Sequence, residues 1–201
     1  MEKKFRNIKP LYKFVCVLLV SLASVSCVTE TVNSPGAIRF SESAIIAVQD
    51  PNIFVTKGST FAWLPEAVRF YKDERLDSAP IKALIEKEIV KNLLAKELVL
   101  VESVNGAKFA VAYTAALESS LDDTAIIKRF GLLPGNSQVP TGDSNIEKGT
   151  LIIYIFENKT NDIVWRSAAQ VGVAFDMPIA ERKARIQRVL AEMFQTFRVI
   201  E

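Results

Sequence analysis

Histidine is absent from this chain of 201 residues, and its two cysteines, Cys16 and Cys27, both lie near the N-terminus. Without histidine there is no Ser-His-Asp or Cys-His arrangement, no imidazole general base, and little scope for a zinc site. If the residues before Cys27 are removed and Cys27 itself carries lipid, no cysteine remains for a disulfide, a thiolate metal site or a nucleophile. The apolar run Phe14–Ala23 falls short of the roughly 20 residues that a membrane-spanning helix needs. Neither sign of charge dominates: 25 basic residues face 23 acidic ones, for a net +2. Five of those bases (Lys3, Lys4, Arg6, Lys9, Lys13) and one acid, Glu2, precede Cys27, so the rest carries 20 basic and 22 acidic residues, net −2. A domain with that balance lacks the basic face of a nucleic-acid binder, and no such partner is expected. The chemistry left open is carboxylate pairs, lysine, tyrosine or oxygen-ligated metals.

What is present begins with a basic start, the short apolar run, and small residues Ser24-Val25-Ser26 leading into Cys27. That is the order of a secretory signal. The cysteine gives it the layout of a bacterial lipoprotein signal, with Ser24 where leucine is usual. An ordinary secretory signal or an uncleaved anchor are the competing readings. In the lipoprotein reading Cys27 takes a diacylglycerol, residues 1–26 are removed, and the new amine is acylated, as with palmitate. Two or more acyl chains give stable anchoring where one does not. Residues 28–42 then form a flexible tether, polar and turn-forming at its start, and 43–201 a single domain. Val28 stands where Asp would resemble an inner-membrane retention mark. The expected place is the bacterial cell envelope, on the outer membrane facing the periplasm.

The domain reads as alternating strands and helices. Ala44–Val48 and Thr60–Leu64 are short strands, separated by a Lys57-Gly58-Ser59 turn and stopped by Pro65. Asp77 or Ser78 caps a helix running to about Lys96, with Pro80 in its first turn and a stripe of Ile81, Leu84, Ile85, Ile89, Leu93 and Leu94. Val99–Val101 is a strand, followed by an Asn105-Gly106 turn signal. Phe109–Leu117 is a longer strand. Residues 119–148 read as a long loop, with room for a short helix over Ala125–Leu133; loops of that length are functional or disordered. Thr150–Phe156 and Ile163–Val173 form a hairpin about Asn158–Asp162. Asp176 caps a last helix to about Phe197, striped by Ile179, Ile186, Val189, Leu190, Met193, Phe194 and Phe197. The expected fold is α+β: a two-layer sandwich of a mainly antiparallel sheet with two amphipathic helices packed on one face.

Four segments resemble the uncharacterised bacterial lipoprotein family known as domain of unknown function 4136. They are Thr60-Phe-Ala-Trp-Leu-Pro65, the helix 81–96 leading into Val99–Val101, Phe109-Ala-Val-Ala-Tyr113, and Lys148-Gly-Thr-Leu-Ile-Ile-Tyr-Ile with Val164-Trp-Arg166. Lys108 stands where that family often has Asp. The resemblance implies fold and compartment but brings no activity.

Several groups are candidates for chemistry. Trp165-Arg166 could stack on a ligand, but strand alternation puts the two on opposite faces, so one belongs to the core. Phe61 and Trp63 share a face, expected under a helix. Asp122, Asp123, Asp143 and Glu147 could ligate a hard cation, but EF-hand spacing is missing, and they read as loop charge. Asp73, Glu74, Arg75 and Asp77 lack a second group for acid–base work. Arg182, Lys183, Arg185 and Arg188 read as a solvated helix face. No catalytic residue, cofactor or metal is expected. Ile126, Ile127, Phe130, Leu132 and Leu133 are more apolar than a loop needs and, with Arg166, are the candidate interaction residues; they either cover the open sheet face or contact a partner. The expected function is a non-enzymatic assembly or interaction module, bound to membrane through its lipid and to an envelope protein partner. The alternatives are a small-ligand or lipid-binding periplasmic protein and, more weakly, an envelope hydrolase using carboxylates.

Overall fold

The computed structural model describes residues 43–136, 138–140 and 142–201. Cys27, the expected signal segment 1–26 and the expected tether 28–42 lie outside the described residues. The elements are β1 (Ala44–Gln49), β2 (Thr60–Trp63), β3 (Arg69–Phe70), α1 (Ser78–Ala95), β4 (Val99–Leu100), β5 (Phe109–Leu117), α2 (Asp123–Phe130), β6 (Ile146–Glu157), β7 (Ile163–Ala174) and α3 (Ile179–Gln195). They form an α+β domain built on one seven-stranded sheet of order β1-β7-β6-β5-β2-β4, with β3 also pairing β5.

The four strands β1, β7, β6 and β5 are antiparallel. The short strands at the other end are parallel: β2 to both β4 and β5, and β3 to β5. Pro65 explains the split between β2 and β3. It has no N–H for a ladder, and a 3-10 turn, Pro65–Ala67, steps the chain along before β3 rejoins the same edge of β5. The two strands flanking the Lys57–Ser59 turn are not neighbours, since β1 lies beside β7 and β2 beside β5. Val99 and Leu100 are exposed on the sheet edge, and β2 separates them from β5.

The β6–β7 hairpin turns through Asn161 in the left-handed region, with Asn161 N donating to the Glu157 carbonyl at 2.8 Å. β6 begins at Ile146, four residues before the apolar run that marks it in the sequence.

Alternation sorts the long strands into two faces. Phe109, Val111, Tyr113, Ile153, Ile155, Trp165 and Ala169 form one core with Ile85, Ile89 and Leu93 of α1 and Leu190, Met193 and Phe194 of α3. Trp165 is fully buried, stacks on Phe194 with ring centroids 5.1 Å apart, and donates through Nε1 to Thr196 Oγ1 at 3.3 Å. Fully burying such side chains contributes about 1.5–3 kcal/mol each. Phe61 and Trp63 join this face, as their spacing predicts, with Trp63 edge-on to Tyr113. Glu88 is a buried carboxylate on this side. Its carboxylate accepts from Gln187 Nε2 at 2.7 Å and from Lys91 Nζ at 3.0 Å, so it links the two helices.

The opposite face carries a smaller core of Ala116, Ile152, Tyr154 and Ala168 under Leu121, Ile126 and Leu132. The segment 119–148 is therefore not one loop. α2 sits within it, started by Asp122, whose Oδ1 accepts from Ala125 N at 2.7 Å, and ended by Gly131 at φ 62°. Lys128 and Arg129 in its last turn suit the negative end of the helix dipole.

Three details depart from the sequence reading. Neither Asp77 nor Asp176 makes a side-chain cap: Asp77 stands at the N-cap of α1 without a side-chain bond, and Pro178 holds that place in α3. Ile179 is 82% exposed because it precedes the first turn that reaches the sheet. Leu94 is exposed because it lies beside, not on, the row Ile85, Ile89, Leu93.

Candidate functional site

Along β5, β6 and the middle of β7 the even-numbered positions point away from α1 and α3; a register shift at Ile155/Phe156 exchanges the faces at the start of β7, so Val164 joins the helix-side core and Ile163 lines the opposite face. On β5 they are small, Ala112 and Thr114, whereas β6 offers Tyr154 and Phe156 and β7 offers Arg166. α2 covers only part of this face, so a cleft of about 420 Å³ stays open beside its C-terminus, where Arg129 and Phe130 meet Arg69 of β3. The floor is aromatic. Phe130 and Tyr154 have centroids 5.9 Å apart, and Tyr154 stacks on Phe156 at 5.7 Å.

The three arginines are held by neutral oxygens. Arg166 Nη1 donates to the Phe130 carbonyl at 3.1 Å, Arg129 Nη1 to Tyr71 Oη at 3.1 Å, and Arg69 Nη1 to the Val68 carbonyl at 2.9 Å. No carboxylate lines the cleft, and among the described residues no ion pair involves these arginines. Tyr154 Oη is buried without a hydrogen-bond partner. Burial holds its phenol well above the usual tyrosine range, and the nearby Arg166 and Arg129 pull only weakly the other way. Positive charge beside stacked rings suits an oxyanion that arginine can hold with two parallel bonds, a carboxylate or phosphate above all. It offers no nucleophile activated by a base.

A family model described as Domain of unknown function (DUF4136) matches residues 48–197. The chain belongs to this family. Comparison with curated proteins returned no match. Among solved structures, the fold is similar to a DUF4136 family protein from Bacteroides thetaiotaomicron, at 13% identity over 76% of this chain and 94% of that one, with a TM-score of 0.47. It is also similar to the PelC dodecamer from Paraburkholderia phytofirmans, at 8% identity over 76% of this chain and 97% of that one, with a TM-score of 0.43.

In this family member the candidate interaction residues take different places. Ile126 and Leu132 are buried against the sheet, Leu133 is half-buried beside them, and Ile127 is exposed. Phe130 and Arg166 line the cleft. Sequence reasoning passed over Arg69, Arg129, Tyr154 and Phe156. The available signal was the β6 run itself, apolar at odd and even positions alike, which calls for cover on both faces.

Asp73, Asp123, Asp143 and Glu147 are engaged in structural contacts. Asp123 accepts from Lys148 Nζ at 2.6 Å, and Asp143 from Asn145 N at 2.9 Å. Glu147 accepts from the Ser119 amide and from Arg75 Nη2 at 2.6 Å, and Arg75 also pairs with Asp73 at 2.7 Å. Among the described residues no cluster of three or more potential ligands gathers for a metal. The basic row of α3 is not the solvated face its composition suggests. Lys183 and Arg188 are exposed, but Arg182 is half-buried and Arg185 is buried. The two lie one turn apart on the side of the helix that meets the sheet.

Proposed function

We propose that this DUF4136 protein is a non-enzymatic interaction module of the bacterial cell envelope, held by lipid on Cys27 at the periplasmic face of the outer membrane. Its arginine–aromatic cleft receives a carboxylate-bearing segment of an envelope protein. The observation that carries the reading is the charge of the cleft: Arg69, Arg129 and Arg166 surround it with no carboxylate in its lining. Such a site is incomplete until an anion arrives, and desolvated arginine–carboxylate pairs fix orientation as well as affinity. Anchoring raises the local concentration for partners at the same membrane.

The test places a photo-crosslinking amino acid at Ile163, on the rim of the cleft, in the membrane-anchored protein of its own host. A discrete protein adduct is expected, lost in Arg129→Glu and Arg166→Glu and retained in the surface controls Lys183→Glu and Arg188→Glu. An adduct indifferent to the cleft arginines overturns the reading. Separately, Cys27→Ser is expected to leave the membrane fraction, and a variant that still pellets with membranes overturns the anchor.

A further inference from the structure

Arg185 projects from α3 toward the sheet, is 9% exposed, and its Nη2 is buried with no hydrogen-bond partner. Among the described residues no carboxylate forms an ion pair with it. Burial pulls its pKa below the ordinary arginine value, the neighbouring Arg188 adds to that, and only Glu181 opposes it. Arginine nevertheless stays protonated in proteins, so among the described residues Arg185 is a buried cation with no ion-pair partner, an arrangement that is costly to keep.

Beside that cation lies an apolar cavity of about 150 Å³, partly open to solvent, between α1, α3 and the sheet. Ile81, Ile85, Leu117, Leu151, Val171 and Ile186 form its walls. The other cation in its lining, Arg182, is already engaged, because its Nη2 donates to the carbonyls of Ala174, Phe175 and Met177 at 3.1, 3.2 and 3.3 Å. An apolar cavity of this volume suits a benzene-sized group, which corresponds to a short run of acyl chain or one ring.

We propose that this cavity binds a small amphiphilic carboxylate, its apolar end against Ile81, Ile85 and Val171 and its carboxylate on the Arg185 guanidinium. The acid supplies the charge that the buried cation lacks, in a medium where the pair is strong. An alcohol of the same chain length fills the cavity but leaves the cation uncompensated. The site is separate from the arginine–aromatic cleft: Leu151 and Val171 face the helices, whereas Tyr154 and Arg166 face the other way.

The experiment photolabels membranes containing the full chain with a diazirine-bearing octanoate and maps the adducts by mass spectrometry. Labelling is expected within residues 81–85, 169–173 or 177–186, and octanoate competes at least about tenfold better than octanol, the ratio of one charge-assisted hydrogen bond. Arg185→Met is expected to lose labelling by a similar factor while raising the Tm of the unliganded protein, since it removes an unpaired buried charge. That second measurement separates lost binding from lost folding. Equal competition by octanol, undiminished labelling of Arg185→Met, or a lower Tm for that variant overturns the proposal.

Discussion

Gln170 Nε2 donates to Asp123 Oδ1 at 2.7 Å, joining the middle of β7 to the first turn of α2. The other end of the same amide, Oε1, accepts from Asn136 N at 2.9 Å, and Asp123 Oδ2 takes Lys148 Nζ at 2.6 Å. One fully buried glutamine thus holds two separate parts of the segment between β5 and β6 against the sheet. A buried amide is costly unless its bonds are made, so this docking is specific in its register, not merely apolar contact.

The segment should therefore behave as core. Deleting residues 121–145 is expected to abolish the cooperative melting transition. Ile126→Ala, at a position with 0% exposure, is expected to cost about 2–5 kcal/mol, read from the midpoint of chemical denaturation. A deletion that still melts cooperatively would make the segment an appendage.

Acid should unfold the domain in a way that two carboxylates explain. Burial alone would raise the pKa of Glu88, but the bonds from Gln187 and Lys91 outweigh it and hold it below the ordinary value. Glu147 is likewise lowered, its burial outweighed by the Ser119 bonds and Arg75. Groups with a depressed folded pKa contribute stability above their unfolded pKa and lose it as the pH falls through the folded one. Tm measured from about pH 7 down to about pH 2 should fall on that limb, and Glu88→Gln should flatten it while leaving the neutral and alkaline profile unchanged in shape.

Gly149 has no room for a side chain. A Cβ there would stand 2.6 Å from Val173 Cγ2 across the β6–β7 ladder, and valine is stiff about χ1. Gly149→Ala is expected to destabilise by about 1–3 kcal/mol. Adding Val173→Ala should recover part of that loss, and a double-mutant cycle should show a coupling above about 0.5 kcal/mol.

The sheet-facing core was readable because its signals are local. The 3.6-residue stripe of Ile85, Ile89 and Leu93, the alternation of Phe109, Val111 and Tyr113, and the Asn158–Asp162 turn each follow from residues close in sequence. The second face was readable only in part: the apolar residues Ile126 and Leu132 allowed that the segment covers the sheet, but how it docks depends on Gln170 meeting Asp123 and Asn136 across more than 30 positions. The same limit hid the cleft. Arg69, Arg129 and Arg166 come from three elements, and only the strand order brings them together. Arg185 was misjudged for another reason: composition marks a basic helix face as solvated, yet one turn of that face points inward.

Every side chain of β5 is buried, and the strand is paired along both edges, to β6 on one side and to β2 and β3 on the other. The amide protons bonded in these ladders are expected to be among the last to exchange with deuterium, at a rate set by opening of the whole domain. β5 therefore keeps time for global unfolding, while the short edge strands β1 and β4 record the smaller fluctuations that precede it.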